Sequence, residues 1–335
     1  MRNWDNKDDD NIHGCEWEKD FEIVKLNCKK IGIPQPQLIN LSNDYWHDVF
    51  QPSLNYWSVG KTPNPDIWCN KHIKFGKLLD ISLKSKDDYL ATGHYARISY
   101  DQWSKEWKLQ RALDKTKDQS YYLSQINKSV LGNLIFPLGT LIKRTHVRAL
   151  AHELGLVNAD REESMGVCFI GEKQNFGNWL NEYMPNQPGE FVTIDGKSLG
   201  NHRGLHHYTI GQKAKIGGMA NKMFVAEKNV NNGNILVVEG SHHPKLKCVE
   251  LVTEFDVNWL INKPQNNSTF NAKAQVRHRQ DESDCCVTIL NDKQLKVKFK
   301  PFEMAVAPGQ TIAIYDEYTS TLIASATIKS TTNQQ

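Results

Sequence analysis

Two short stretches carry the residues best suited to covalent chemistry. The first is TPNPDIWCN, residues 62–70, which places a thiol, Cys69, three residues after a carboxylate, Asp66. Pro63 and Pro65 each fix φ and bias Thr62 and Asn64 towards extended backbone, so the approach to the thiol reads as a stiff, solvent-facing loop. The following CNKHIKFGKLLDISLK has helical spacing, with Ile73, Leu78 and Leu79 for a buried face and Asp66 at the N-cap position. Cys69 then falls in the first turn, where the helix dipole and unpaired N–H groups favour a thiolate. Lys71, His72 and Lys74 add positive charge nearby. This describes a nucleophile of lowered pKa, and it equally describes a capped helix with a packed cysteine. The second stretch is ESMGVCFIG, residues 163–171, with Cys168 among apolar neighbours and the glycines Gly166 and Gly171. Alone, it reads as a structural cysteine beside a tight turn.

The remaining cysteines do not suggest a disulfide framework. Seven are spread over 335 residues, an odd number with no C-x-x-C pair. That pattern points to free thiols in a reducing compartment and argues against a structural zinc or a thioredoxin-like oxidoreductase. The adjacent pairs His206-His207 and His242-His243 read as surface or loop histidines, because neighbouring side chains point different ways. Charged residues are 24% and hydrophobic ones 39%, the range of a globular protein of two or three domains. A net charge of +3 is too small to diagnose a nucleic-acid partner, and no apolar run is long enough to span a bilayer.

The elements that must position these thiols change character along the chain. Residues 16–31 carry Phe21, Val24, Cys28 and Ile31 at helical spacing before Gly32; residues 37–42 read as a short strand; residues 43–60 as a helix kinked at Pro52. Residues 87–100 read as strand, turn, strand, and 140–156 as a helix with Val147, Leu150 and Leu154 inward. Residues 1–172 are therefore expected to form an α/β layer with a mostly parallel sheet. A last short helix, FGNWLNEYM, leads into an all-β half, opened by a hairpin at Asp195-Gly196. We place a central β-rich domain at 173–240 and a C-terminal antiparallel β-barrel at 241–331. In TFNAKAQVRHRQ, residues Phe270, Ala272, Ala274 and Val276 face inward, and Lys273, Gln275, Arg277 and Arg279 outward. In KQLKVKFK, Leu295, Val297 and Phe299 face inward and Lys296, Lys298 and Lys300 outward. Those basic faces could track a phosphate backbone or simply be solvated lysines.

Taken together, the two thiol motifs resemble the tRNA-specific 2-thiouridylase family. The similarity runs in order through MRNW, TPNPDIWCNKHIKF, ATGHYAR, KDQSYYLSQ, FPLG, ESMGVCFIGE, GNHRGLHHYTIGQ, a VRHRQ strand and APGQ. ESMGVCFIG and YTIGQKAKIGG look closest to the mitochondrial branch. The resemblance implies an adenine-nucleotide α-hydrolase-like domain and sulfur transfer from a persulfide to C2 of the wobble uridine of mitochondrial tRNA, through an adenylated uridine. It implies Cys69 as nucleophile, Cys168 as persulfide carrier and Asp66 as acid/base group. Asn64, Pro65 and Asp66 would meet the target base, Met1 and Gly93 the ATP, and His94, Lys117, Asp118, Gln119, Arg277, His278 and Gln310 the tRNA. At His278 the family often has tyrosine. ATP with Mg2+, a persulfide donor fed by a sulfur carrier or cysteine desulfurase, the tRNA anticodon stem-loop and a mitochondrial location follow from the same resemblance, with no structural metal and no membrane.

One departure is expected to matter. Family members begin with a strand and an S-G-G-x-D-S-S phosphate loop, and this sequence has no Gly-rich phosphate loop. Met1 aligns with an internal methionine of the family, and the acidic start MRNWDNKDDDN is unlike a signal or transit peptide. The expectation is an incomplete nucleotide-binding domain with an unpaired sheet edge and lowered stability. The competing expectation is a catalytically inactive tRNA-binding protein.

Overall fold

The computed structural model describes residues 1–4, 17–161 and 176–334. The chain divides into two compact units, Met1–Phe50 with Asp66–Trp179, and Gln51–Pro65 with Leu180–Gln335.

In the first unit, α1 (Trp17–Ile31) buries only Cys28, while Val24 and Ile31 are exposed. The segment expected as a strand at 37–42 forms a single parallel bridge instead. Arg2 N–H donates to the Ile39 carbonyl at 2.8 Å and Leu41 N–H to the Arg2 carbonyl at 2.7 Å. α2 (Ser42–Tyr45) runs into a π-helical stretch, Trp46–Phe50, after which the chain passes into the second unit's segment Gln51–Pro65, which opens with α3 (Gln51–Ser58). The irregularity expected at Pro52 is met by that widened turn just before it, since proline cannot donate to the helical ladder. α4 (Pro65–Trp68) continues through a π-helical stretch, Cys69–Lys77, to α5 (Leu78–Ser82). Ile73 and Leu79 are buried and Leu78 is half-buried.

The strands of this unit are β1 (Leu90–Ala91), β2 (Ala96–Asp101), β3 (Glu106–Arg111) and β4 (Leu134–Ile135). β2 and β3 form an antiparallel hairpin. The expected parallel sheet is represented, among the described residues, by β1 beside β4 and the Arg2–Asn40 bridge. Lys143–Val147 is π-helical and leads into α6 (Arg148–Glu153), which buries no residue; Leu150 and Leu154, expected inward, are about half exposed. Helical spacing states which face is apolar, but not whether another element covers it. The unit's aromatic core joins Trp4 to Phe50 (ring centroids 5.0 Å), Phe50 to Trp179 of α7 (Phe176–Leu180) (5.4 Å) and Trp4 to Trp179 (5.9 Å).

In the second unit, β5 (Gly189–Val192) and β6 (Ser198–His202) form the expected hairpin, with Gly196 at φ +79° in its turn. With β7 (Lys213–Ala214), β8 (Met223–Lys228) and β9 (Ile235–Glu239) they make a sheet of order β6-β5-β9-β8-β7 over a core of Phe191, Val225, Ile235 and Val237. The remaining strands are β10 (Lys247–Thr253), β11 (Asn258–Trp259), β12 (Thr269–Gln275), β13 (Ser283–Asn291), β14 (Gln294–Met304), β15 (Thr311–Tyr315) and β16 (Leu322–Asn333). Antiparallel pairing runs β10-β14-β13-β12-β15-β16 and returns from β16 to β10, closing a six-stranded barrel; β11 pairs on β16. Ala272, Ala274, Val276, Leu295, Val297 and Phe299 fill it as the alternation predicts. Gln275 departs from the expected outward face. It is buried, and its Nε2 donates to the Gln280 carbonyl at 3.0 Å. The outward lysines are partly neutralised, Lys273 by Asp284 at 2.9 Å and Lys296 by Glu250 at 3.0 Å. Among the described residues no helix is long and apolar enough to cross a membrane.

Candidate active site

The thiol-bearing helix starts one residue earlier than the sequence predicts. α4 opens on Pro65, whose fixed φ and missing N–H suit the first helical position. Asp66 is therefore the second helical residue rather than the N-cap. Cys69 opens the π-helical stretch rather than lying in the first turn. Nor is the approach solvent-facing: Pro63 is buried, and Asn64 and Pro65 are half-buried.

Burial also overturns the expected thiolate. Cys69 is 3% exposed, and desolvation pushes its thiol above the usual cysteine range. Lys74 opposes this, Asp66 reinforces it, and a hydrogen bond with the Asn3 side chain weakly opposes it. Burial likewise raises the carboxyl of Asp66, again against Lys74. His94 is held neutral, pushed down to about 3 by burial first and by Lys74 second. Its ring packs against Phe75 (5.5 Å) and Phe136 (5.8 Å), and its Nδ1 pairs with Thr92 Oγ1 at 2.7 Å. One cation thus acts on all three groups. Lys74 stands five residues after Cys69, the repeat that a π-helical stretch stacks along one face.

Asn70 ties this helix to the chain after Lys117. Its Nδ2 donates to the Asp66 carbonyl at 3.1 Å and to the Tyr122 carbonyl at 3.2 Å. Only its place beside Cys69 marked it in the sequence. In the same turn, buried Asp118 pairs with Arg111 at 2.9 Å, accepts from Ala112 N–H at 2.8 Å and accepts from Ser120 Oγ at 2.7 Å. Gln119 Oε1 accepts the Tyr95 N–H at 3.0 Å, beside His94. Lys117 is half-buried. The expected tRNA triplet therefore sends two of its three side chains inward.

Gly93 is exposed just past the carboxyl end of β1, and a Cβ there would come only within 3.8 Å of Leu138 Cδ1. That open edge beyond a parallel strand fits the close approach of a nucleotide. Met1 is 40% exposed. On the barrel, Arg277 is exposed and donates to the carbonyls of Met304 and Ala305; His278 is half-buried. Gln310 Nε2 donates to the carbonyls of Thr62 at 2.9 Å and Pro63 at 3.1 Å. Cys168 and its motif lie outside the described residues. Among the described residues no group of three or more His, Cys, Asp or Glu is arranged to hold a metal.

Three family matches follow one another along this chain. Residues 1–172 match the tRNA methyl transferase HUP domain, 177–239 the tRNA methyl transferase PRC-barrel domain, and 250–328 the aminomethyltransferase beta-barrel domain. These define a HUP domain followed by two β domains, the second being the closed barrel. The chain is 41% identical over 318 residues to the tRNA-specific 2-thiouridylase MnmA of Oceanobacillus iheyensis, covering 94% of this chain and 84% of that protein. It is 39% identical to the enzyme of that name from Exiguobacterium sibiricum (94% and 83% covered) and to that from Staphylococcus aureus (94% and 84% covered). The chain belongs to the tRNA-specific 2-thiouridylase MnmA family.

Proposed function

We propose that this protein is an ATP-dependent tRNA sulfurtransferase that replaces the C2 oxygen of a wobble uridine with sulfur. The chain-long relationship to 2-thiouridylases carries this reading, and the thiol motif supports it, with Cys69 placed beside Asp66 and under the field of Lys74. Mitochondrial tRNA and a mitochondrial location are the finer form of the proposal, resting on the motif variants alone.

Cys168 carries the persulfide in this scheme, loaded by an upstream persulfide donor. Cys69, its thiol proton passed to Asp66, attacks the Cys168 sulfur, forms a Cys69–Cys168 disulfide and releases hydrosulfide, which adds at C2; direct attack by the terminal persulfide sulfur is the alternative route. ATP, expected with Mg2+, supplies the adenylyl group that makes the C2 oxygen a leaving group, and Met1 and Gly93 are the residues here assigned to its binding. Asp66, its carboxyl raised by burial, can hold and return a proton nearer neutrality. Asn64, Pro65 and Asp66 present the base to Cys69. His94, Lys117, Arg277 and His278 contact the RNA, while Asp118 and Gln119, bonded inward, shape the turn that presents Lys117.

The test is sulfur incorporation into unmodified tRNA with ATP and a persulfide source, alongside pyrophosphate release. Cys69→Ser and Cys168→Ser should each abolish incorporation and leave tRNA binding intact. Full activity in either variant would sink the two-thiol scheme. RNA binding without pyrophosphate release in the wild type would mark a non-catalytic tRNA-binding protein.

A further inference from the structure

The backbone leading to the thiol motif is gripped by the far end of the chain. Thr62 N–H donates to the Pro308 carbonyl at 3.0 Å, and Gln310 Nε2 returns two hydrogen bonds to the carbonyls of Thr62 and Pro63. Between them sits Gly309, at φ +94°. A Cβ on Gly309 would stand 2.8 Å from Thr62 N, so the close approach of the two backbones requires glycine. Gln310 is itself fixed, its N–H donating to the Ala307 carbonyl at 3.2 Å and its carbonyl accepting from Ile328 of β16 at 2.8 Å. Further contacts secure the same segment. Lys61 Nζ pairs with Glu254 at 2.6 Å, and Gly60, at φ +69°, packs where a Cβ would meet Leu205 Cδ1 at 3.3 Å. Residues 51–65 accordingly form part of the unit that holds the barrel, although 114 residues of the other unit follow them in sequence before that unit's chain resumes at Leu180.

We infer that Gln310 is a positioning residue for the segment that enters the thiol motif: the barrel turn Ala307–Gln310 fixes the backbone of Thr62 and Pro63, from which Asn64 and Pro65 are presented. The physical case is that both Nε2 protons are spent on carbonyls one and two residues before Asn64. A misplacement of about 1 Å in such a segment is enough to cost roughly 10²-fold in rate. This role differs from the direct RNA contact that the family resemblance implies for Gln310, and it rests on the proposed function only in assigning the target-base contact to Asn64 and Pro65.

The full chain with Gln310→Glu removes both donated bonds at nearly constant shape, and Gly309→Ala disturbs the same clamp from the backbone. Amide hydrogen exchange over residues 60–68 is followed by mass spectrometry, together with kcat for thiolation and Kd for tRNA by filter binding. The expected result for both variants is exchange in 60–68 faster by about tenfold, kcat lower by about tenfold or more, and tRNA Kd unchanged. Unchanged exchange in Gln310→Glu overturns the inference. So does weakened tRNA binding with kcat at saturation and exchange unchanged, which would make Gln310 an RNA contact alone. The exchange arm needs no turnover, so it decides the clamp even where the wild type proves inactive and the functional reading fails. Gln310→Ala provides the same measurement should Gln310→Glu not fold.

Discussion

The barrel and the helices of the first unit treat their apolar residues in opposite ways. On β14, Leu295, Val297 and Phe299 are 0%, 0% and 2% exposed. On α1, Val24, Leu26 and Ile31 are 44%, 54% and 47% exposed. Both segments carry a periodic apolar pattern. The difference is that a strand in a closed barrel has its cover supplied by closure itself, six strands facing one axis, whereas a helix needs a separate element laid against its stripe. Apolar periodicity is therefore a strong predictor of burial in the second unit and a weak one in the first.

That contrast can be broken or sharpened by measurement. Phe299→Ala in the barrel core should have the largest effect, destabilising the chain by about 3–5 kcal/mol in denaturant unfolding; a loss below about 1 kcal/mol would mean the core repacks freely. Next is Asp118→Ala, which leaves Arg111 buried without its carboxylate and Ala112 N–H without its acceptor. It should cost about 3 kcal/mol, against less than about 1 kcal/mol for Lys273→Ala in the exposed Lys273–Asp284 pair. Equal losses in the two variants would show that burial does not separate these pairs.

A smaller effect, per pH unit, is carried by His94. Its folded pKa lies below its unfolded value of 6.5, at about 3, so its stabilising contribution is complete above pH 6.5 and is lost as pH falls towards 3. Against His94→Asn, the wild type should lose about 1.4 kcal/mol per pH unit across that window, read from paired unfolding curves. A constant difference between the two would show that His94 protonates freely in the folded protein. Smallest of all is Val24→Ser on α1, expected within about 0.5 kcal/mol of the wild type. A loss of 2 kcal/mol would show that the stripe of α1 is covered in solution.

The candidate site was legible in pieces. The pairing of TPNPDIWCN with ESMGVCFIG, and the ordered motifs between and beyond them, were enough to suggest the family to which the chain belongs. The expected state of the thiol was not correct. The rule that a helix N-terminus lowers a cysteine pKa assumes exposure to the first turn, and here Cys69 lies a turn further on and fully buried, where desolvation dominates. The outward assignment of Gln275 failed for a related reason: strict alternation does not register a polar side chain bonded inside a bend.

What the sequence determined by itself is what depends on neighbours along the chain: the barrel strands, from their period of two, and the Asp195-Gly196 hairpin, from its turn residues. Tertiary structure alone decided what depends on residues far apart. Asp118 is an inward ion pair because Arg111 of β3 lies opposite it, and the burial of its surroundings pushes the Cys69 thiol up. Gln310 meets Thr62 across 248 positions because the barrel turn folds back onto them. Spacing within a segment encodes periodicity, but a hydrogen bond between distant segments is set only when closure of the chain brings donor and acceptor within about 3 Å.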